Sequence, residues 1–203
     1  MKKLILIPLI TTYILAVDLS NEADNQLLEE FHKKIEKIEK VNDFTKRNFL
    51  LGKAYFNRHL TLTDYKKALE YFKKANTNKS KYYLGLIYLN GLGVKQDVKK
   101  GIELLKEANT ADSLYELGKL YIYGKYVLQN PRRGVDYLKK AAKKDNKQAK
   151  ILLGTLYING FYGIDKNLEK AAQYIFSATN NGTNFDKETK EIWEKYKLYN
   201  YIN

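Results

Sequence analysis

Four serines, two histidines and no cysteine are all that this 203-residue chain offers a nucleophilic or metal-dependent mechanism. None of Ser20, Ser80, Ser113 and Ser177 has a lysine three residues on, so the Ser-x-x-Lys arrangement of serine β-lactamases is absent. His32 and His59 each stand without a second histidine or a cysteine at ligand spacing, which leaves no zinc set. Gly91-Leu92-Gly93 looks like a phosphate loop, but no strand precedes it and no Lys-Ser/Thr follows, so it reads as a turn. No catalytic constellation survives, and neither a metal nor a cofactor is expected.

Cations are the chemistry in excess. The formal charge is +13, which favours an anionic partner. Three basic pairs recur at a fixed interval: Lys66-Lys67, Lys99-Lys100 and Arg132-Arg133, with Glu169-Lys170 breaking the series. Each pair follows a residue that suits a helix N-cap. Cations there oppose the helix dipole, and a helix N-terminus with cations favours anions. The ladder is therefore a candidate contact for an acidic protein, phospholipid headgroups or an anionic envelope polymer. The plainer reading is a solvated face in a lysine-rich chain.

The ladder follows from a larger periodicity. Leu-Gly followed three residues later by Tyr occurs at Leu51-Gly52 to Tyr55, Leu84-Gly85 to Tyr88, Leu117-Gly118 to Tyr121 and Leu153-Gly154 to Tyr157; the glycines are 33, 33 and 36 residues apart. A period in that range marks a solenoid of helical hairpins. Each unit reads as helix A, turn, helix B. Glycine inside helix A costs roughly 1 kcal/mol relative to alanine, so close approach of helix B is expected there. Gly91, Gly124 and Gly160 are placed to end the A helices in a left-handed cap. Arg58 stands at that position in the first unit, where a different turn is expected. Asp64, Asp97, Asn130 and Asn167 are predicted N-caps of the B helices. Small residues at Ala68, Gly101, Gly134 and Ala171, and at Ala75, Ala108, Ala141 and Ala178, let the two helices pack closely.

These residues carry a resemblance. The frame Leu-Gly-x-x-Tyr-x-x-Gly-x-Gly-Val-x-x-Asp-x-x-Lys-Gly/Ala, closed by Lys-Ala, resembles the Sel1-like repeat, a relative of the tetratricopeptide repeat. Leu84–Ala108 is the best copy. Leu153–Ala178 has an extra residue around Phe161-Tyr162, Leu117–Ala141 lacks the second glycine, and Leu51–Ala75 lacks the glycine turn. The resemblance implies an all-α, right-handed α/α superhelical solenoid of about four hairpins, acting mainly as a protein-interaction scaffold. The repeats are expected over residues 45–182, divided at about 45–78, 79–110, 111–146 and 147–182. Helical spacing of Leu27, Leu28, Phe31, Ile35 and Ile38 predicts an N-terminal capping helix within 18–44, started by Ser20 or Asn21. A C-terminal capping helix is expected within 183–203, around Ile192, Trp193, Tyr196 and Leu198.

By analogy with tetratricopeptide repeats, the A helices line a concave groove. The analogous rows are Phe49, Tyr82, Tyr115 and Ile151; Lys53, Leu86, Lys119 and Thr155; Phe56, Leu89, Ile122 and Ile158; and Asn57, Asn90, Tyr123 and Asn159. An asparagine amide both donates to and accepts from an extended peptide backbone, and lysines beside aromatics suit a carboxylate. The partner expected from this is a protein, as an acidic or extended segment, bound by a monomer. The bland alternative is packing between repeats plus one solvated row.

At the N-terminus, Met1-Lys2-Lys3 precedes an almost wholly apolar run from Leu4 to Val17. The run is short for a bilayer span and suits a secretory signal over residues 1–17, with an uncleaved anchor as the alternative. An exported, periplasmic or secreted bacterial protein is expected, and nucleic acid is the weakest anionic partner for such a chain. The resemblance leaves two other functions open. One is binding or hydrolysis of β-lactams, known in a cysteine-rich secreted branch whose disulfides this chain lacks. The other is neutralisation of a toxin as its immunity protein.

Overall fold

The computed structural model describes residues 22–58 and 62–202, and every regular element among them is helical. The proposed signal, the cap candidates Ser20 and Asn21, and His59 lie outside the described residues. Two units are distinguished, residues 1–42 and 43–203. In the first, α1 (Glu22–Glu39) forms over the apolar spacing that predicts it, with Lys33 paired to Glu29 one turn away at 3.6 Å.

The second unit is the array of hairpins. Its helices alternate as A and B: α2 (Phe44–Arg58) with α3 (Leu62–Ala75), α4 (Asn78–Asn90) with α5 (Val98–Ala108), α6 (Ala111–Tyr123) with α7 (Pro131–Lys143), and α8 (Lys147–Asn159) with α9 (Leu168–Ala178). A 3-10 turn, Phe161–Gly163, lies between α8 and α9. Helix α10 (Lys187–Lys195) and a 3-10 segment, Leu198–Tyr201, follow.

The seam inside each hairpin is built on small residues. A Cβ on Gly101 of α5 would fall 2.8 Å from the backbone nitrogen of Leu89 in α4. That distance is too short for any side chain, so Gly101 sets how closely the helices pack. From the other side, α5 fills the space over Gly85 with Leu105, which is fully buried. Phe72, Leu138 and Ile175 do the same over Gly52, Gly118 and Gly154. Helix A therefore gives up roughly 1 kcal/mol of propensity at its glycine, and burial of a large apolar side chain, worth about 1.5–3 kcal/mol, offsets it.

The turns follow the same plan. Gly91, Gly124 and Gly160 take the left-handed conformation at φ 67–69° and end their helices. The carboxylate of Asp97 accepts from the N–H of Lys100, and the Asn130 and Asn167 side chains accept from Arg133 and Lys170, at 2.8–3.0 Å. Each cap's own N–H donates back to the carbonyl of the frame tyrosine, Tyr88, Tyr121 or Tyr157, at 2.8–2.9 Å. The first hairpin departs from this. Helix α3 begins at Leu62, so Asp64 lies inside its first turn instead of preceding it, and is buried. The turn itself, residues 59–61, is outside the described residues.

The A helices start with a device that the repeat motif does not announce. Thr77 and Thr110 cap α4 and α6 in reciprocal boxes with the fully buried Ser80 and Ser113. Asn146 caps α8 and Asp186 caps α10. Helix α10 thus opens as an A helix does, with buried Thr189 at the register of Ser80 and Ser113. At the register of the A-helix glycine it carries Glu194, which closes the seam to a further B helix. Leu198 is instead folded in, fully buried, and Ile192, Trp193 and Tyr196 pack on the core around it.

Candidate interaction surface

The basic pairs divide into two jobs. The second cation of each pair lies over the frame tyrosine of its own hairpin. Lys67 is 5.0 Å from the Tyr55 ring, Lys100 4.0 Å from Tyr88, Arg133 4.4 Å from Tyr121 and Lys170 5.5 Å from Tyr157. In three hairpins that tyrosine stacks in turn on one from helix B: Tyr55 on Tyr71, Tyr121 on Tyr137 and Tyr157 on Tyr174, tilted by no more than 10°. These cations complete the outer layer of the fold through the ring faces. The fourth hairpin keeps the interaction through Lys170, so the apparent break at Glu169-Lys170 is a break only in the first member. Both members of each pair are exposed, and it is the second that is placed over the ring.

On the A-helix face, the predicted rows separate by depth. Leu89, Ile122 and Ile158 are core residues, 3% exposed or less. Their side chains fill the seam, Ile122 meeting the position where a Cβ on Gly134 would stand, while Leu89 and Ile158 each also line a surface cleft. The other rows reach the surface. Phe49, Lys53, Tyr82, Tyr115 and Lys119 are half-buried, and Asn57, Asn90, Tyr123 and Asn159 are exposed. The asparagines are less available than their amides suggest. Asn90 and Asn159 donate to the carbonyls of Leu86 and Thr155 in their own helices at 2.9 Å, and the Asn90 oxygen accepts from the Tyr126 hydroxyl at 3.2 Å. Each retains one amide hydrogen for a ligand.

The lysines are oriented as well. Lys119 pairs with Glu116 at 2.9 Å and lies 4.7 Å from the Tyr115 ring, and Lys53 lies 6.0 Å from the Phe49 ring. Between α4 and α6 lies a cleft of about 310 Å³, lined by Leu86, Leu89, Asn90, Glu116, Lys119, Tyr123 and Tyr126 among others. A second cleft of about 270 Å³ lies between α8 and α10, where Thr155 and Asn159 face Glu188, Glu191 and Lys195. Burial raises the Tyr82 phenol above its ordinary value, helped by the Glu116 and Asp112 carboxylates. Burial also raises Tyr123, with Tyr162 and Tyr115 adding and Lys119 opposing. Both phenols therefore stay protonated at neutral pH.

Ser80 and Ser113 are spent in the capping boxes, each donating to its threonine carbonyl. Ser177 is exposed on α9, and Ser20 is outside the described residues. His32 is half-buried on α1 beside Phe31. Among the described residues no group of three or more His, Cys, Asp or Glu side chains is placed to hold a metal. Nor is any described helix long and apolar enough to cross a membrane.

An all-helical array of hairpins with an aromatic and amide-bearing A-helix face is the construction of an α/α repeat protein. The chain belongs to the Sel1 repeat family, whose profile matches residues 48–80, 78–110, 111–146 and 147–182. Sel1 repeat proteins as a family bind protein partners. A Sel1 repeat protein from Oxalobacter formigenes, 23% identical, superposes with a TM-score of 0.66 over 89% of this chain and 77% of its own. A protective antigen of uropathogenic Escherichia coli with the same repeat fold is 18% identical, with a TM-score of 0.53, over 85% of this chain. This chain spans 49% of that antigen's length. At these identities the likeness concerns the fold. No curated protein matches the chain significantly.

Proposed function

We propose that this chain is an exported protein-binding module that holds an extended, acidic segment of a partner protein along its A-helix face. The observation that carries the reading is the cleft between α4 and α6. There the exposed Tyr123 and Asn90, the half-buried Leu86 and the oriented Lys119 offer apolar contact, an amide hydrogen and a cation within one small site. Tyrosine supplies contact area at low entropic cost, and interfaces concentrate their energy in such residues. The basic balance of the chain favours an acidic partner over a basic one. Export rests on the apolar run after Met1-Lys2-Lys3. The module acts as a monomer and needs no cofactor.

A photoreactive phenylalanine analogue at position 123, introduced into the full chain in the producing cell, tests this. The expected result is one dominant cross-linked envelope protein, joined through an acidic stretch and absent when the analogue stands at Lys143. Equal yields from both positions, or no adduct from position 123, would contradict it.

A further inference from the structure

The edge of the array where A helices turn into B helices gathers large apolar side chains in water. Tyr123, Tyr126, Leu128, Phe161 and Tyr162 all lie there, and Leu128 is 92% exposed. Val127 turns inward against the core while its neighbour Leu128 points out. Two of the tyrosines are held against backbone preference. In the second hairpin the turn position two residues after the helix-ending glycine is Gly93, at φ 67°. Tyr126 and Tyr162 occupy the same position after Gly124 and Gly160, at φ 68° and 60°. A bulky side chain is a conformational outlier there, and such strain concentrates at functional sites. Both rings are part-exposed, at 38% and 43%: Tyr126 reaches Asn90, and Tyr162 meets the exposed rings of Tyr123 and Phe161 at 6.1 and 6.2 Å.

Cations surround these residues. Lys95, Lys125 and Lys166 are exposed in the three turns, Lys125 lying 4.9 Å from the Tyr126 ring. Lys99 and Arg132 leave the ring beneath to their neighbours Lys100 and Arg133, and the exposed acids beside them are Asp97, Asp165 and Glu169. Single apolar tips set among lysines do not form the contiguous dry core of a protein interface. They match what a bilayer surface takes: apolar tips at the acyl boundary, tyrosines at headgroup depth and basic groups on anionic headgroups. We infer that this edge docks on an anionic lipid bilayer. Leu128 and Phe161 enter the acyl boundary, Tyr126 and Tyr162 sit at headgroup level, and Lys99, Lys125 and Arg132 face the lipid phosphates. The inference does not rest on the partner proposed for the cleft, although Tyr123, Lys125 and Tyr126 line that cleft as well.

The absence of cysteine makes the test site-specific. Leu128→Cys in the full chain, labelled with a polarity-sensitive fluorophore, is mixed with phosphatidylglycerol-containing or pure phosphatidylcholine vesicles. A second chain carries the label at Lys143→Cys on the opposite edge. The expected result is a blue shift and shielding from iodide for the Leu128 label alone, on the anionic vesicles alone. Lys99→Glu, Lys125→Glu and Arg132→Glu together should weaken it roughly tenfold or more, with helicity by circular dichroism unchanged. A Leu128 label that stays in water overturns the inference. So does an equal shift at both labels, which would assign binding to the apolar run of residues 4–17. Burial of the Leu128 label by an envelope protein but not by vesicles would also overturn it, making the edge a protein interface.

Discussion

The two edges of the hairpin array are built on opposite principles. At the edge where B helices lead into A helices, polar groups close on one another. Asn146 caps α8 through Ala149 and also donates to Asp112 of α6 at 2.9 Å, and Lys147 pairs with Asp186, the cap of α10, at the same distance. At the other edge the turns expose tyrosines, a leucine and lysines, and hold two of the tyrosines at positive φ. One edge spends its residues on tying successive repeats together. The other departs from the repeat and leaves the departing side chains in water. Polar contacts between successive repeats thus mark one edge, and side chains that depart from the repeat frame mark the other.

The tied edge should be the most sensitive to mutation. Asn146 is buried and engages both ends of its amide. Asn146→Ala should cost about 2 kcal/mol in urea unfolding, near the upper end for loss of an N-cap. A loss below about half of that would mean that the edge is tied elsewhere.

A smaller change separates neighbouring cations. Lys100→Ala removes the charge over Tyr88 and should cost about 0.5–1 kcal/mol. Lys99→Ala, one residue earlier and exposed, should leave the urea midpoint in place. Equal costs would erase the division of the ladder into structural and free cations.

A pH dependence is expected to be weaker still. Asp186 is held below the usual carboxylate range by its hydrogen bond to Lys147 and by those from Thr189. Its contribution to stability is therefore present above its unfolded value of about 4 and is lost as pH falls below that. Asp186→Asn should flatten the stability curve in the acid limb and leave the curve's shape near neutrality intact. An unchanged acid limb would show that the pair between α8 and α10 carries no stability.

How much of this was legible in the sequence follows the same division. The seam glycines, the helix-ending Gly91, Gly124 and Gly160, and the caps Asp97, Asn130 and Asn167 are legible because each recurs in a helical register with one physical job. The boxes of Thr77 with Ser80 and Thr110 with Ser113 were hidden, since serine in place of Glu or Gln does not match the usual capping-box pattern. Gln96 and Gln129, which donate to the carbonyls of Leu89 and Ile122 at 2.8 Å, recur only twice and raised no signal. The cation stacks were hidden for another reason: Tyr88 and Lys100 lie across a turn, beyond the reach of any local spacing rule. The depth of Leu89, Ile122 and Ile158 was not legible, because the analogy gave a row on the helix and not the tilt of its side chains. Tyr126 could have been found, because it stands where the frame has Gly93. Read as a missing glycine, it signals a weakened repeat; read as an added tyrosine at a costly position, it marks the exposed edge.

Whether Tyr126 and Tyr162 are held for the surface or for the fold is decided by the urea midpoint of the Tyr126→Gly, Tyr162→Gly chain. Glycine relieves a left-handed strain of roughly 1 kcal/mol at each position, and gives up the contacts that the part-exposed rings make with Asn90 and Tyr123. If the tyrosines serve the surface, the midpoint rises or at worst stays level. A fall corresponding to about 1 kcal/mol or more, the strain of a single position, would contradict that, since the two side chains would then be part of what holds the fold.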